Sequence, residues 1–241
     1  MFKNIFILVA TIGLVNGLAA QSVNNNGESV INQQIWIDFY PHYFVNKKIE
    51  YYGDSGFRTI IGERSWNRIY IRPSLKYHLN DNWEFHAGAG VFYIFYTQAI
   101  DQFEFTPWQG VQWNWNGLQR IKLKHLVRLE ERWSYLTDEW NADFEFRLRY
   151  KFSGRLKLRH KKWSMPFYGE IFLPLKGEIK ELYQNKGRAG LGLSYKISKD
   201  WQLTFLFNWQ RSKTGINEEV SSSDYIYQIK IKKVWRRLLL K

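Results

Sequence analysis

The sequence contains no cysteine. That excludes disulfide staples, thiolate metal sites and a lipid anchor on an N-terminal cysteine, so packing and hydrogen bonding must hold the fold. It also lacks an apolar run long enough to cross a membrane as a helix. The run from Ile5 to Val15 is cut by Asn16, whereas a spanning helix needs ~20 apolar residues. No 3.6-residue periodicity persists beyond a few residues, which argues against a helical domain.

Catalytic and metal signatures are missing as well. There is no His-x-x-x-His pair and no carboxylate-rich calcium loop, the spacings that would gather ligands around one ion. Gly88, Gly90, Gly190 and Gly192 stand inside alternating runs and read as places where strands bend or pack closely. His42, His78, His86, His125 and His160 are scattered, and no serine sits in a Gly-x-Ser-x-Gly context. Ser74 and His78 share a strand face, but four residues of strand separate them by ~13 Å. No cofactor, no metal and no catalytic residue are expected.

What is present begins with Met-Phe-Lys-Asn, the short apolar run, and the small residues Gly17, Ala19 and Ala20. This is the pattern of a cleaved signal peptide over 1–20, followed by a polar leader over 21–34. The chain is polar on average, with a mean hydropathy of −0.45, yet 18% of it is aromatic. A barrel with a wet, charged interior and an aromatic-rich lipid face accounts for both. The net charge of +13 invites a nucleic-acid reading, which export makes untenable; anionic lipopolysaccharide fits it better, with Lys230, Lys232, Lys233, Arg236 and Arg237 facing the envelope.

From residue 35 to residue 234 the chain alternates apolar and polar with period two, as half-buried strands do. Between residues 141 and 152, Ala142, Phe144, Phe146, Leu148, Tyr150 and Phe152 form one face. Asp143, Glu145, Arg147, Arg149 and Lys151 form the other. Another run places Trp201, Leu203, Phe205, Phe207 and Trp209 on one face, with tryptophan at both ends as rings seated at two membrane interfaces would be. Such large apolar rows on most strands need a very large apolar partner, and lipid is the simplest.

Eleven candidate strands can be counted. Single-chain bacterial barrels have even numbers, so the expectation is a closed antiparallel transmembrane β-barrel of about 10–12 strands, with residues 155–165 as the trouble spot. Short turns are expected at 79–82, Asn116-Gly117, Ser153-Gly154 and 198–200, and longer loops at 134–138, 176–187 and 212–223. Residues 235–241 read as a basic tail.

From Trp36 to about Ile231 the chain resembles the outer-membrane barrel family known as domain of unknown function 2490. The residues that carry the resemblance are Arg72-Pro73-Ser74 with Tyr77-His78-Leu79, and Glu104-Phe105-Thr106-Pro107-Trp108-Gln109-Gly110. Arg128-Leu129-Glu130-Glu131-Arg132, Phe146-Arg147-Leu148-Arg149-Tyr150, Gly190-Leu191-Gly192 and Trp201 complete the set. The resemblance implies a barrel and supplies no activity. It departs at the C-terminus, where Trp235 to Lys241 follows the last alternating run in place of a terminal aromatic read by the barrel-insertion machinery.

The inward rows are charged. A cluster of Arg72, Glu104, Arg128, Glu130, Arg132, Glu145, Arg147 and Arg149 is expected to line the lumen. Further inward charges include Asp38, Asp54, Arg58, Arg68, Arg120, Lys122, Lys124, Asp143, Glu170, Arg188 and Lys196. The expected reading is a self-paired filling of a narrow lumen; the alternative is a cationic pore or a site for a phosphate or carboxylate. The function expected is that of an integral outer-membrane barrel, structural, adhesive or a narrow porin-like path preferring anions. A lipid- or lipopolysaccharide-modifying hydrolase and a secreted lipocalin-like carrier are the alternatives.

Overall fold

The computed structural model describes residues 31–61, 66–97, 99–115, 119–177, 183–214 and 221–236. Eleven strands follow one another: β1 Ile31–Phe44, β2 Ile49–Ile61, β3 Trp66–His78, β4 Trp83–Tyr96, β5 Gln102–Trp115, β6 Ile121–Leu136, β7 Ala142–Lys157, β8 Trp163–Gly177, β9 Tyr183–Lys196, β10 Trp201–Thr214 and β11 Ser221–Arg236. They close into one barrel in sequence order. Consecutive strands pair antiparallel, while β1 and β11 pair parallel, from Ile31↔Ser223 to Phe44↔Arg236.

The closure corrects two expectations. The strand number is odd, and the wall is therefore not wholly antiparallel: an odd count makes the first and last strands run the same way. Residues 155–165, the expected trouble spot, hold the ordinary turn between β7 and β8, whereas Ser153-Gly154 lies inside β7. The long loops also shrink. Connections span four or five residues at the end holding 79–82 and four to six at the other, because polar ends of β8, β9, β10 and β11 are strand. β1 begins at Ile31, within the segment read as leader, and β11 runs to Arg236, within the segment read as tail. The signal peptide, most of the leader, Asn116-Gly117 and residues 237–241 lie outside the described residues.

All five prolines sit in this wall. A strand residue directs its N–H and C=O toward a single neighbour, so a proline should break one ladder and spare the other. Pro41 interrupts the β1–β2 register yet pairs with Lys233 of β11. Pro73, Pro107 and Pro166 likewise leave gaps in β3–β4, β5–β6 and β8–β9 while their opposite ladders continue. Pro174 falls where β8 has outrun its partner: the β8–β9 register ends at Ile171↔Gly187, although β8 continues to Gly177. Amide exchange should accordingly be faster over 172–177 than over 167–171; equal protection of the two stretches would contradict this seam.

The alternation sets what faces where. Ile71, Leu75, Phe85, Leu191, Phe205 and Phe207 are exposed on the outer surface, Ile71 by 56% and Phe205 by 54%. Their neighbours along each strand, such as Tyr70, Ser74, Glu84, His86, Ser194, Thr204 and Asn208, are buried inside. Most of the buried side chains are polar, and among the apolar ones Ile60, Trp66 and Ile94 with Tyr96 cluster at the end where β2 meets β3. Two glycines make room for rings that cross the lumen. A Cβ on Gly88 would meet Ser74 Oγ at 2.5 Å, the Pro73 carbonyl at 2.6 Å and Trp108 Nε1 at 2.9 Å, and one on Gly190 would collide with Asn208 and Tyr168.

Candidate functional site

The lumen is built in layers, because inward side chains at the same height on adjacent strands become neighbours. At the end holding 79–82, Glu50 and Glu84 gather cationic and imidazole groups. His42 Nδ1 lies 2.5 Å from Glu50 Oε1, and Lys76 Nζ lies 3.1 Å from Glu50 Oε2. His78 sits between the two carboxylates at 3.4 and 3.3 Å, and His86 reaches Glu84 at 3.3 Å and the Tyr52 hydroxyl at 2.5 Å. Gln112 and Asn114 donate to Glu84 at 2.7 and 3.0 Å.

These histidines are scattered in sequence and juxtaposed only by the barrel. No histidine among the described residues bonds a serine; the Ser74 hydroxyl faces the Arg72 carbonyl at 3.5 Å. Among the described residues no group of His, Asp or Glu is placed to hold a metal ion.

Of the charges expected in the lumen, Glu104, Arg128, Glu130, Arg132 and Glu145 are buried and Arg72, Arg147 and Arg149 half-buried. Glu130 on β6 receives Arg147 Nη2 at 2.5 Å and Arg149 Nη1 at 3.1 Å from β7, and Arg128 Nη1 lies 3.4 Å away. Arg132 is held instead by Glu104 on β5 at 2.7 Å and Glu145 on β7 at 2.9 Å. Arg149 also reaches Glu170 at 2.5 Å. Arg72 belongs to a separate group: it pairs with Asp54 at 2.6 Å, and Tyr70 lies 2.8 Å from Asp38 and 3.0 Å from Asp54. Toward the other end Asp224 is contacted by Gln34, Asn32 and Gln210 at 3.0 to 3.2 Å.

Three of the expected lumen charges are elsewhere: Arg120 precedes β6 and is exposed, and Lys122 and Lys196 are exposed at strand ends. Conversely, Lys230 points inward, not to the envelope. Its ammonium lies 5.3 Å from the centroid of Tyr40 and 6.0 Å from that of Tyr168. The inward parity of β11, Asp224, Ile226, Gln228 and Lys230 against Tyr225, Tyr227 and Ile229, was the available signal.

Aromatic faces were the larger omission. Arg58 and Arg188 flank Trp36 at 3.9 and 4.6 Å, Arg128 covers Trp108 at 4.1 Å, and Lys151 covers Tyr168 at 4.2 Å. Such contacts contribute ~0.5–2 kcal/mol each, so rings partly compensate cations that have no full share of a carboxylate.

These groups enclose a cavity of about 90 Å³ in the middle of the barrel. Among the described residues nine cationic side chains line it, with Glu104 and Glu130 as the acids on its surface. A cavity needs ~10–15 Å³ to hold one water, so the space suits several waters or one small molecule and no continuous wide channel.

No curated protein and no solved structure matches this chain. The family model described as "Protein of unknown function (DUF2490)" matches residues 33–220, and the chain belongs to that family.

Proposed function

We propose that this chain is an integral outer-membrane β-barrel, exported by its first 20 residues and seated among lipid and lipopolysaccharide by the barrel-insertion machinery. Its lumen is narrow and charge-lined, and it passes either no steady current or a small one that prefers anions. The observation that carries this reading is the outer surface. Exposed apolar rows run between aromatic residues at both ends: Trp83, Trp115, Trp201 and Trp235 at one, and Phe95, Phe105, Trp140 and Trp209 at the other.

Trp201 and Trp209 are ~27 Å apart along β10 at strand rise. A tilt of 35–45° reduces that to about 20 Å of height, close to the apolar band of such barrels. Water would have to solvate that whole surface if lipid did not.

Paired arginines and carboxylates across the middle layer support an occluded lumen, since eleven strands leave far less space than the sixteen or more of wide porins. The cationic excess on the cavity lowers the barrier for anions and raises it for cations. Mature protein should fractionate with the outer membrane and change mobility when left unheated in detergent gels. In planar bilayers it should show no steady conductance or a small anion-preferring one. Recovery in a soluble periplasmic fraction would overturn the location, and a large cation-selective channel would overturn the lumen.

A further inference from the structure

Among the described residues the carboxylates in contact with the cavity's cations are Asp38, Asp54, Glu104, Glu130, Glu145 and Glu170. Nine cations line the space. The three that have no carboxylate within ion-pair distance among the described residues are Arg68, Lys151 and Lys230. Arg68 lies apart, between Trp66 and Phe92 at 5.4 and 5.8 Å.

Lys151 and Lys230 converge instead on one ring: their ammonium groups lie 4.2 and 6.0 Å from the centroid of Tyr168. The ring is fixed there by its hydroxyl, which donates to Asn208 at 2.8 Å, and by Gly190, where a Cβ would collide with it. Arg188, braced by Gln210 at 2.8 Å, borders the same space.

Two like charges facing one ring inside a low-dielectric barrel are unfavourable unless something negative lies between them. The carboxylates opposite them in register, Glu170 for Lys151 and Asp38 for Lys230, are already engaged by Arg149 and Arg58, and the cavity supplies room for a further anion. Tyr168 and Tyr40 offer ring faces that attract the ammonium groups but carry no net negative charge. Lysine is a compact point donor suited to phosphate-like oxygens, and a neighbouring arginine adds a planar fork of N–H groups.

We propose that the cavity is a binding site for one compact multi-oxygen anion of the phosphate type, held between Lys151 and Lys230 with Arg188 beside it. The site rests on the reading of a narrow charge-lined lumen, and it holds whether or not that lumen conducts. A larger ligand would not fit the space of about 90 Å³.

The full mature chain, refolded in zwitterionic micelles, is titrated with inorganic phosphate by calorimetry, and its thermal unfolding is followed with and without phosphate. Saturable one-site binding and a raised unfolding midpoint are expected. Lys151→Met with Lys230→Met should weaken binding at least tenfold, and Lys161→Met with Lys199→Met, on exposed turns, should leave it unchanged. If the double variant does not refold, the single changes Lys151→Gln and Lys230→Gln should each weaken binding.

Adding phosphatidic acid to the micelles assigns the source. Competition with phosphate supports a lipid headgroup reaching the site, and undiminished phosphate binding supports a free anion. Absence of binding by the wild type, or equal affinity in the lysine variants, overturns the site. That failure is distinguishable from failure of the membrane reading, because fractionation and unheated gel mobility do not depend on phosphate.

Discussion

Glu130→Gln is expected to destabilise the folded barrel by about 3–5 kcal/mol, the range for removing one partner of a buried ionic group. Glu130 is 2% exposed and is the carboxylate to which Arg147, Arg149 and Arg128 all turn, at 2.5, 3.1 and 3.4 Å. Glutamine keeps the shape and one acceptor but faces its amide N–H groups toward guanidinium donors. The loss is therefore one of charge, not packing.

Urea unfolding should show a lower midpoint with an unchanged slope, since the same surface is exposed. Glu139→Gln, in the exposed turn after β6, should leave the midpoint where it was. Replacing Glu130 and Arg147 together by methionine should cost less than the two single changes added, because no unpaired charge is then left inside. A Glu130→Gln midpoint equal to that of the wild type would show that water, not the protein, compensates these arginines.

Phe205→Arg carries the second large effect, and it decides what surrounds the wall. Phe205 is 54% exposed, halfway along β10 between Trp201 and Trp209. If lipid covers this face, arginine at the midplane should cost about 2–4 kcal/mol relative to Phe205→Leu. If water covers it, an exposed substitution should change stability by no more than about 0.5 kcal/mol. Folding in vesicles, followed by denaturant titration, separates the two. Equal midpoints for arginine and leucine would end the lipid-facing assignment.

The wall was legible because a strand's side-chain period of two is a purely local property. Phe144, Phe146 and Leu148 against Glu145, Arg147 and Arg149 announce a face and its reverse without any knowledge of neighbours. The ends of strands were less legible. Where both faces become polar the alternation fades, so the ends of β9, β10 and β11 read as loop. Strand number was visible in the count of eleven; the rule that favours even numbers was what obscured it.

The partners inside the lumen were not legible at all. Glu130 shares β6 with Arg132, and sequence proximity suggests that pair. The structure gives Glu130 to Arg147 and Arg149, and Arg132 to Glu104 and Glu145. Pairing across strands depends on register, and register is fixed by turn lengths and by the whole set of neighbouring faces.

The sequence by itself determined an all-β chain with one apolar and one charged face per strand, because those properties follow from spacing along a single segment. Only the tertiary structure decided that eleven strands close through a parallel seam, that His42, His78 and His86 meet around Glu50 and Glu84, and that Lys151 and Lys230 face one tyrosine ring across a cavity. Each of these joins residues far apart in the chain, and no local period carries information about which distant strand lies alongside.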